Sequence, residues 1–232
     1  MSYPTLSNSH PWSVSWEEAE KIQRNLSTKV ILKDDFEKLR KISGVGIVFS
    51  KRGDEVLVAC VIFSFPEMWK ILHTCFGRGE VRFPYTPGFF AFSAGPAIIS
   101  TLEKMPKPDL VIFPGRGIAH PRKLGLASHL GVLLDLPTIA CSKKQLWRDS
   151  RKLSGKKGSH IFIRDDLGML MGAVVRTREG VKPIYVTPGN KISTQTAVKL
   201  VLECSPRFRI PEPLRQAHIL AERLILHKEN NF

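Results

Sequence analysis

Along the chain the apolar positions change period several times, and each change outlines an element. Trp16, Ala19, Ile22 and Leu26 recur at helical spacing, and Ser15 followed by Glu17 and Glu18 supplies a cap and first-turn acids, so residues 15–40 read as a helix. Residues 44–49 and 56–65 are apolar, β-branched runs on either side of Lys51-Arg52-Gly53-Asp54, the pattern of a hairpin. Residues 71–81 read as a third strand interrupted by Gly77 and Gly79. The stretch Phe83-Pro84-Tyr85-Thr86-Pro87-Gly88-Phe89-Phe90 is too proline-rich for a central strand and reads as an ordered loop. Residues 96–105 predict a helix, 109–113 a strand, 124–134 a helix and 138–141 a strand. A basic loop over 148–160 follows, with Arg148, Arg151, Lys152, Lys156 and Lys157, then a closing pair of strands at 169–176 and 182–187 and helices at 193–204 and 213–226. This alternation predicts an α/β fold. No repeat or long linker divides residues 1–232, which read as one domain with loose tails at 1–14 and 228–232.

Length and composition narrow the class. A chain of 232 residues with 43% apolar content can bury a core, and no run of about 18 apolar residues exists to cross a membrane. Met1 to Pro11 is polar and lacks the basic-then-apolar form of a signal peptide, so a cytoplasmic location is expected. Cys60, Cys75, Cys141 and Cys204 form no Cys-x-x-Cys pair, which argues against structural zinc and for reduced thiols, most of them buried. Charge alters the picture more: Lys and Arg number 35 against 21 Asp and Glu, a net +14. Such an excess predicts a polyanionic partner, DNA or RNA, although a basic surface also serves solubility.

Four segments carry specific patterns. One runs Asp109-Leu-Val-Ile-Phe-Pro-Gly-Arg-Gly-Ile-Ala-His-Pro-Arg-Lys-Leu-Gly-Leu-Ala-Ser-His-Leu-Gly131. The others are Pro84-Tyr85-Thr86-Pro87-Gly88-Phe89 and Asp135-Leu-Pro-Thr-Ile-Ala-Cys-Ser-Lys143, with Arg209-Ile-Pro-Glu-Pro213 near the end. Together, in this order, they resemble the endonuclease V family, nucleases that recognise deaminated bases, over about residues 15–225. The resemblance implies a ribonuclease H-like fold, a mixed central sheet flanked by helices. It also implies that Pro84, Tyr85, Thr86 and Pro87 form a strand-separating wedge, and that Gly88, Phe90, Gly125 and Leu126 line a pocket reading the extruded base mainly through backbone groups. The physics of such a loop is sound, since a rigid aromatic tip can replace the stacking lost at a flipped base. Taken alone, the same residues describe a proline-stiffened loop with a surface tyrosine.

The chain departs from the family where its metal chemistry would sit. The resemblance implies Mg²⁺ held by three carboxylates, at positions occupied here by Gly46, Ala94 and Pro114, none of which can ligate. The family's central Gly-His-Gly carries Arg116 in place of His, and its C-terminal Gly-His-Arg becomes Gly189-Asn190-Lys191, with Gln195 where an Asp follows. Loss of the metal, and no cofactor, is therefore expected. Asp54, Glu55, Glu80, Glu103, Asp109 and Asp135 remain as acids, but Asp54 sits at the hairpin turn and Asp109 at the far end of its strand from Pro114. Other site positions persist: His120, Lys143 and His218 match family residues near the phosphate, and with Arg116 and Arg122 they form a candidate phosphate-binding set. His129 reads instead as a satisfied structural histidine. The expectation is a catalytically inactive homologue that binds DNA or RNA. The alternatives are an active endonuclease with relocated ligands and a non-catalytic subunit bound to a protein partner.

Overall fold

Two apolar faces of a single sheet organise the computed structural model, which describes residues 10–68, 70–147 and 153–229, the last three by their backbone alone. The elements run α1 (Trp16–Ser27), β1 (Lys41–Phe49), β2 (Glu55–Ser64), β3 (Ile71–Glu80), α2 (Phe90–Leu102), β4 (Leu110–Pro114), α3 (Leu126–Leu133), β5 (Thr138–Ser142), β6 (His160–Arg164), β7 (Leu170–Val175), β8 (Ile184–Asn190), α4 (Thr194–Glu203) and α5 (Glu212–Glu229). The eight strands lie in the order β3-β2-β1-β4-β5-β8-β7-β6. β1, β4 and β5 are parallel and the other pairings antiparallel, so the sheet is mixed, as expected.

Strand alternation divides the core. Val45, Ile62, Val111, Phe113 and Ala140 pack against α2 and α3 on one face. Ile42, Ile112, Cys141, Val186 and their neighbours pack against α4 and α5 on the other. Gly44 and Gly46 also point to the second face, where an added Cβ would lie 2.1 Å from the backbone of Pro213 and of Ala217 respectively. The Gly44-Val45-Gly46 pattern thus opens a slot in β1 into which the α5 backbone settles. Cys60, Cys141 and Cys204 are buried and all four cysteines are free thiols. Burial raises the three buried thiols far above their usual range. Among the described residues no helix is long and apolar enough to cross a membrane.

Several elements differ from the sequence reading. The first helix keeps its capping box at Ser15 and Glu18 but ends at Ser27 rather than near residue 40. The segment after it is held from outside: Asn190 accepts from the Ile31 N–H, while Ser193 N–H and the Thr196 hydroxyl both donate to Asp34. The second helix starts at Phe90, not Pro96, and carries Pro96 inside it, so the aromatic end of the preceding loop is its first turn. β6 begins at His160, the last residue of the stretch read as a basic loop, and runs to Arg164 through residues to which the sequence reading assigns no element. Of that loop, Arg148, Arg151 and Lys152 lie outside the described residues. The stretch 10–14 is not a loose tail. Trp12 stacks on His129 with ring centroids 5.7 Å apart and meets Phe92 edge-on, and Val14 packs beside Phe83. At the other end, residues 228–229 continue α5. Residues 1–9 and 230–232 lie outside the described residues.

Candidate nucleic-acid interface

The proline-rich segment leaving β3 turns sharply before α2. Phe89 N–H donates to Thr86 O at 3.0 Å, with Pro87 at the first corner and Gly88 at φ +89° at the second. This is the geometry of a type II turn, which needs a residue tolerant of positive φ at its third position. Tyr85 stands before the turn, 61% exposed. Its ring meets Phe49 and Phe90 edge-on, both at 5.7 Å between centroids. Phe90, in the first turn of α2, rests on the same core that buries Leu126. The tip is therefore supported from below by two rings while its outer face meets solvent.

Gly88 is fastened from the opposite side. Its carbonyl accepts from Gln23 Nε2 at 2.9 Å, Arg122 Nη2 at 2.9 Å and His120 Nε2 at 3.0 Å. Arg122 also donates from Nε to Gln23 Oε1 and lies 4.3 Å over the Phe89 ring. These bonds clamp α1, the turn and the loop after β4 together. They also change the tasks read from sequence for two of the candidate phosphate ligands. Arg122 is largely enclosed and spends its donors on Gln23 and Gly88, with Glu20 3.9 Å away. His120 is buried, with Nδ1 accepting from Arg122 N–H while Nε2–H donates to Gly88. Gln23, which positions this carbonyl from 65 residues away, went unnoticed in the sequence because a lone buried glutamine has no pattern.

Burial, helped by the Arg122 and Arg116 charges and opposed by the Gly88 bond, brings His120 down to about 4. Burial likewise lowers His10 and, well below its usual range, His129. The unfolded chain then binds protons that the folded chain refuses. Stability held above pH 6.5 is therefore lost as pH falls from 6.5 towards 4. For His120 alone the loss by pH 5 is about 2 kcal/mol, from about 1.4 kcal/mol per unit of pKa. Urea unfolding of His120→Gln and the parent at pH 7 and pH 5 should show the parent losing about 2 kcal/mol more. Parallel losses in the two proteins would remove His120 from this account.

The loop after β4 leads to Gly125 and Leu126, the other two positions expected to line a base pocket. Gly125 caps α3, its N–H donating to Gly117 O at 2.9 Å, and an added Cβ would lie 2.4 Å from Arg116 O. The Arg116 side chain is exposed, with no ion pair among the described residues. Lys143 is also exposed, directly after β5, where Pro114 pairs with Cys141. His218, on α5, faces Glu222 at 3.3 Å and is 43% exposed. His129 is wholly buried, with Nε2 2.6 Å from His10 Nε2, but its Nδ1 has no partner among the described residues, so it is only half satisfied.

Gly46 and Pro114 come together. They lie two residues beyond the paired Gly44 and Ile112 on adjacent strands, on the face covered by α5. Ala94 is buried in the core on the opposite face. A Cβ at position 46 would meet Ala217 O at 2.1 Å and His218 N at 2.6 Å. Asp109 accepts from the Arg40 and Lys41 N–H groups and Asp135 pairs with Lys191 at 2.8 Å, both at the far end of the strands. Asn190 is likewise structural there, its amide donating to Gly131 O. Among the described residues no group of three His, Cys, Asp or Glu side chains converges to hold a metal ion. The side chains at positions 46, 94 and 114 do not fit a hard cation, which takes oxygen ligands.

The sequence profile of the endonuclease V family matches residues 24–219. The endonuclease V of Dictyoglomus turgidum is 43% identical over 211 residues, 90% of this chain and 91% of that protein. The crystal structure of endonuclease V from Streptomyces avermitilis superposes with a TM-score of 0.87 at 31% identity, covering 99% of this chain and 100% of that one. The Ciona intestinalis endonuclease V, solved with a 24mer DNA containing an inosine followed by a ribo-adenosine, gives 0.79 at 26% identity and covers 91% and 98%. The fold is thus that of these ribonuclease H-like structures.

Proposed function

Because the chain belongs to the endonuclease V family, we propose that it binds nucleic acid at deaminated or distorted sites without cutting it. The observation that carries this reading is the filled slot at Gly46. The family's first metal ligand would need its Cβ 2.1 Å from the Ala217 carbonyl oxygen. Ala94, sealed in the opposite core, and Pro114 support it, since neither supplies an oxygen to a metal or a base to activate water.

The binding half of the reading draws on different residues. The Ciona relative was solved with inosine-containing DNA, and this chain keeps the turn and exposed aromatic tip suited to such a lesion. Tyr85 fills the gap left by an extruded base, while Gly88, Phe90, Gly125 and Leu126 surround that base. Arg116 and Lys143 hold phosphates, with His218 beside them, and Arg116 adds positive charge where the family relies on a metal ion. His120, Arg122 and Gln23 act one step back by holding Gly88 in place.

Binding to matched inosine-containing and normal strands tests the reading. Tyr85→Ala should weaken inosine binding roughly 5- to 150-fold, the worth of about 1–3 kcal/mol of stacking, and leave the salt dependence unchanged. Arg116→Ala should weaken binding to all sequences alike and reduce the log–log salt slope by about 0.7–0.9. If Tyr85→Ala binds every strand like the parent, the turn is only a stiff loop and a protein-partner role takes precedence.

A further inference from the structure

Register places several connections along one end of the sheet. β5 finishes at Ser142, which pairs with Tyr185 at the start of β8. β7 finishes at Val175, which pairs with Ile184 of β8 and with His160 at the start of β6. Segments 143–147, 176–183 and 153–159 therefore emerge side by side, next to the loop that carries Arg116. Among their described residues Glu179 is the one acid, against exposed Lys143, Lys144, Lys156, Lys157, Arg178 and Lys182. At the opposite end of β4 and β5, Asp109 and Asp135 sit among Arg40, Lys41 and Lys191, so acids and bases are mixed there.

Some cations at this end brace the connections. Lys157 Nζ donates to Ser205 O and Pro206 O, Arg176 donates to Ser154 O and Val181 O, and Arg209 Nη2 donates to Pro183 O at 2.8 Å and Lys143 O at 3.4 Å. Lys144, Lys156, Arg178 and Lys182 are exposed and have no ion pair among the described residues. Trp147 and Tyr185, on two of the same segments and strands, are part-exposed with ring centroids 6.0 Å apart, the Trp147 ring lying over Gly172 of β7. Exposed basic side chains beside a part-exposed aromatic pair suit unpaired bases, whose faces are open to stacking. From β4 to β6 the sheet takes four inter-strand steps of about 4.8 Å, roughly 19 Å, which holds at most about five to six nucleotides when stacked at the duplex spacing of about 3.4 Å.

We infer that this end of the sheet is a track for single-stranded nucleic acid running from the base pocket out to β6. The track rests on the pocket reading above for its starting point. It holds the strand that flanks the extruded base, and its affinity comes from phosphates and stacking rather than from base identity.

Fluorescence-polarisation binding of the full chain to single strands tests this. Each strand carries one inosine or a normal base, with 2, 6 or 12 nucleotides to either side. Parent affinity should rise with flank length on one side up to about six nucleotides, then level off. The surface variant Lys156→Gln/Arg178→Gln/Lys182→Gln should lose that rise and about 2 units of log–log salt slope, with its inosine preference intact. If the variant gains with flank length as the parent does, or the parent binds a duplex of equal length more tightly, the track is wrong. Inosine preference surviving alongside an unaffected flank gain would sink the track and keep the pocket. A flank gain lost in the variant, without any inosine preference, would keep the track and sink the pocket.

Discussion

Gly46→Ala is expected to destabilise the protein by about 1–3 kcal/mol, and Gly46→Asp by more than that. In a strand, exchanging glycine for alanine ordinarily stabilises by roughly 0.5–1 kcal/mol, because it narrows the unfolded ensemble. Here the new methyl would stand 2.1 Å from Ala217 O and 2.3 Å from Ala217 C, both backbone atoms of α5 that no rotamer change can move aside. The helix must lift off β1 or the strand must buckle, and either disturbs the core that includes Ile42, Leu214 and Ala217. Aspartate adds a carboxylate beside a carbonyl oxygen in a buried position, a larger group than the methyl in the same closed slot. At about 2–4 °C per kcal/mol for a chain of this size, thermal unfolding should fall by several degrees for alanine and on the order of 10 °C for aspartate. A raised midpoint for Gly46→Ala would mean that α5 yields easily, and position 46 would then be open to a carboxylate after all.

The comparison of pattern with structure shows where the information lay. Elements set by their own periodicity, such as β2, β4, β5 and α4, were legible because burial on one face dictates the spacing of apolar residues. The stretch after Ser27 was not, since its path is decided by Asn190, Ser193 and Thr196, partners about 160 positions away. Pro96 misled because proline usually opens a helix, whereas here it sits a turn and a half inside one that the Phe90 end begins. β6 was hidden by the basic residues before it, and as an edge strand it needs little apolar sequence. At the site, motif order pointed to the Pro87-Gly88 turn, which the structure shows. It could not show that His120 and Arg122 are occupied with Gly88, because a hydrogen bond to a distant carbonyl leaves no trace in local sequence.

Binding without cleavage is the centre of the account, and parallel binding and nicking assays test it most directly. The full-length protein would meet end-labelled strands, DNA and RNA, with and without inosine, each in the absence of divalent ions and in Mg²⁺ or Mn²⁺. In the family's chemistry a divalent ion held by carboxylates activates water and neutralises charge on the cleaved phosphate, so losing its ligands removes the reaction rather than slowing it slightly. Binding resting on Tyr85, Arg116, Lys143 and the basic end of the sheet needs no such ion and should fall steeply with monovalent salt. The predicted result is inosine-containing strands retained intact, cut no faster than without protein, with the same affinity whether or not the ion is present at constant ionic strength. Ion-dependent nicking near the inosine, abolished by substituting His120 or a nearby acid, would contradict it.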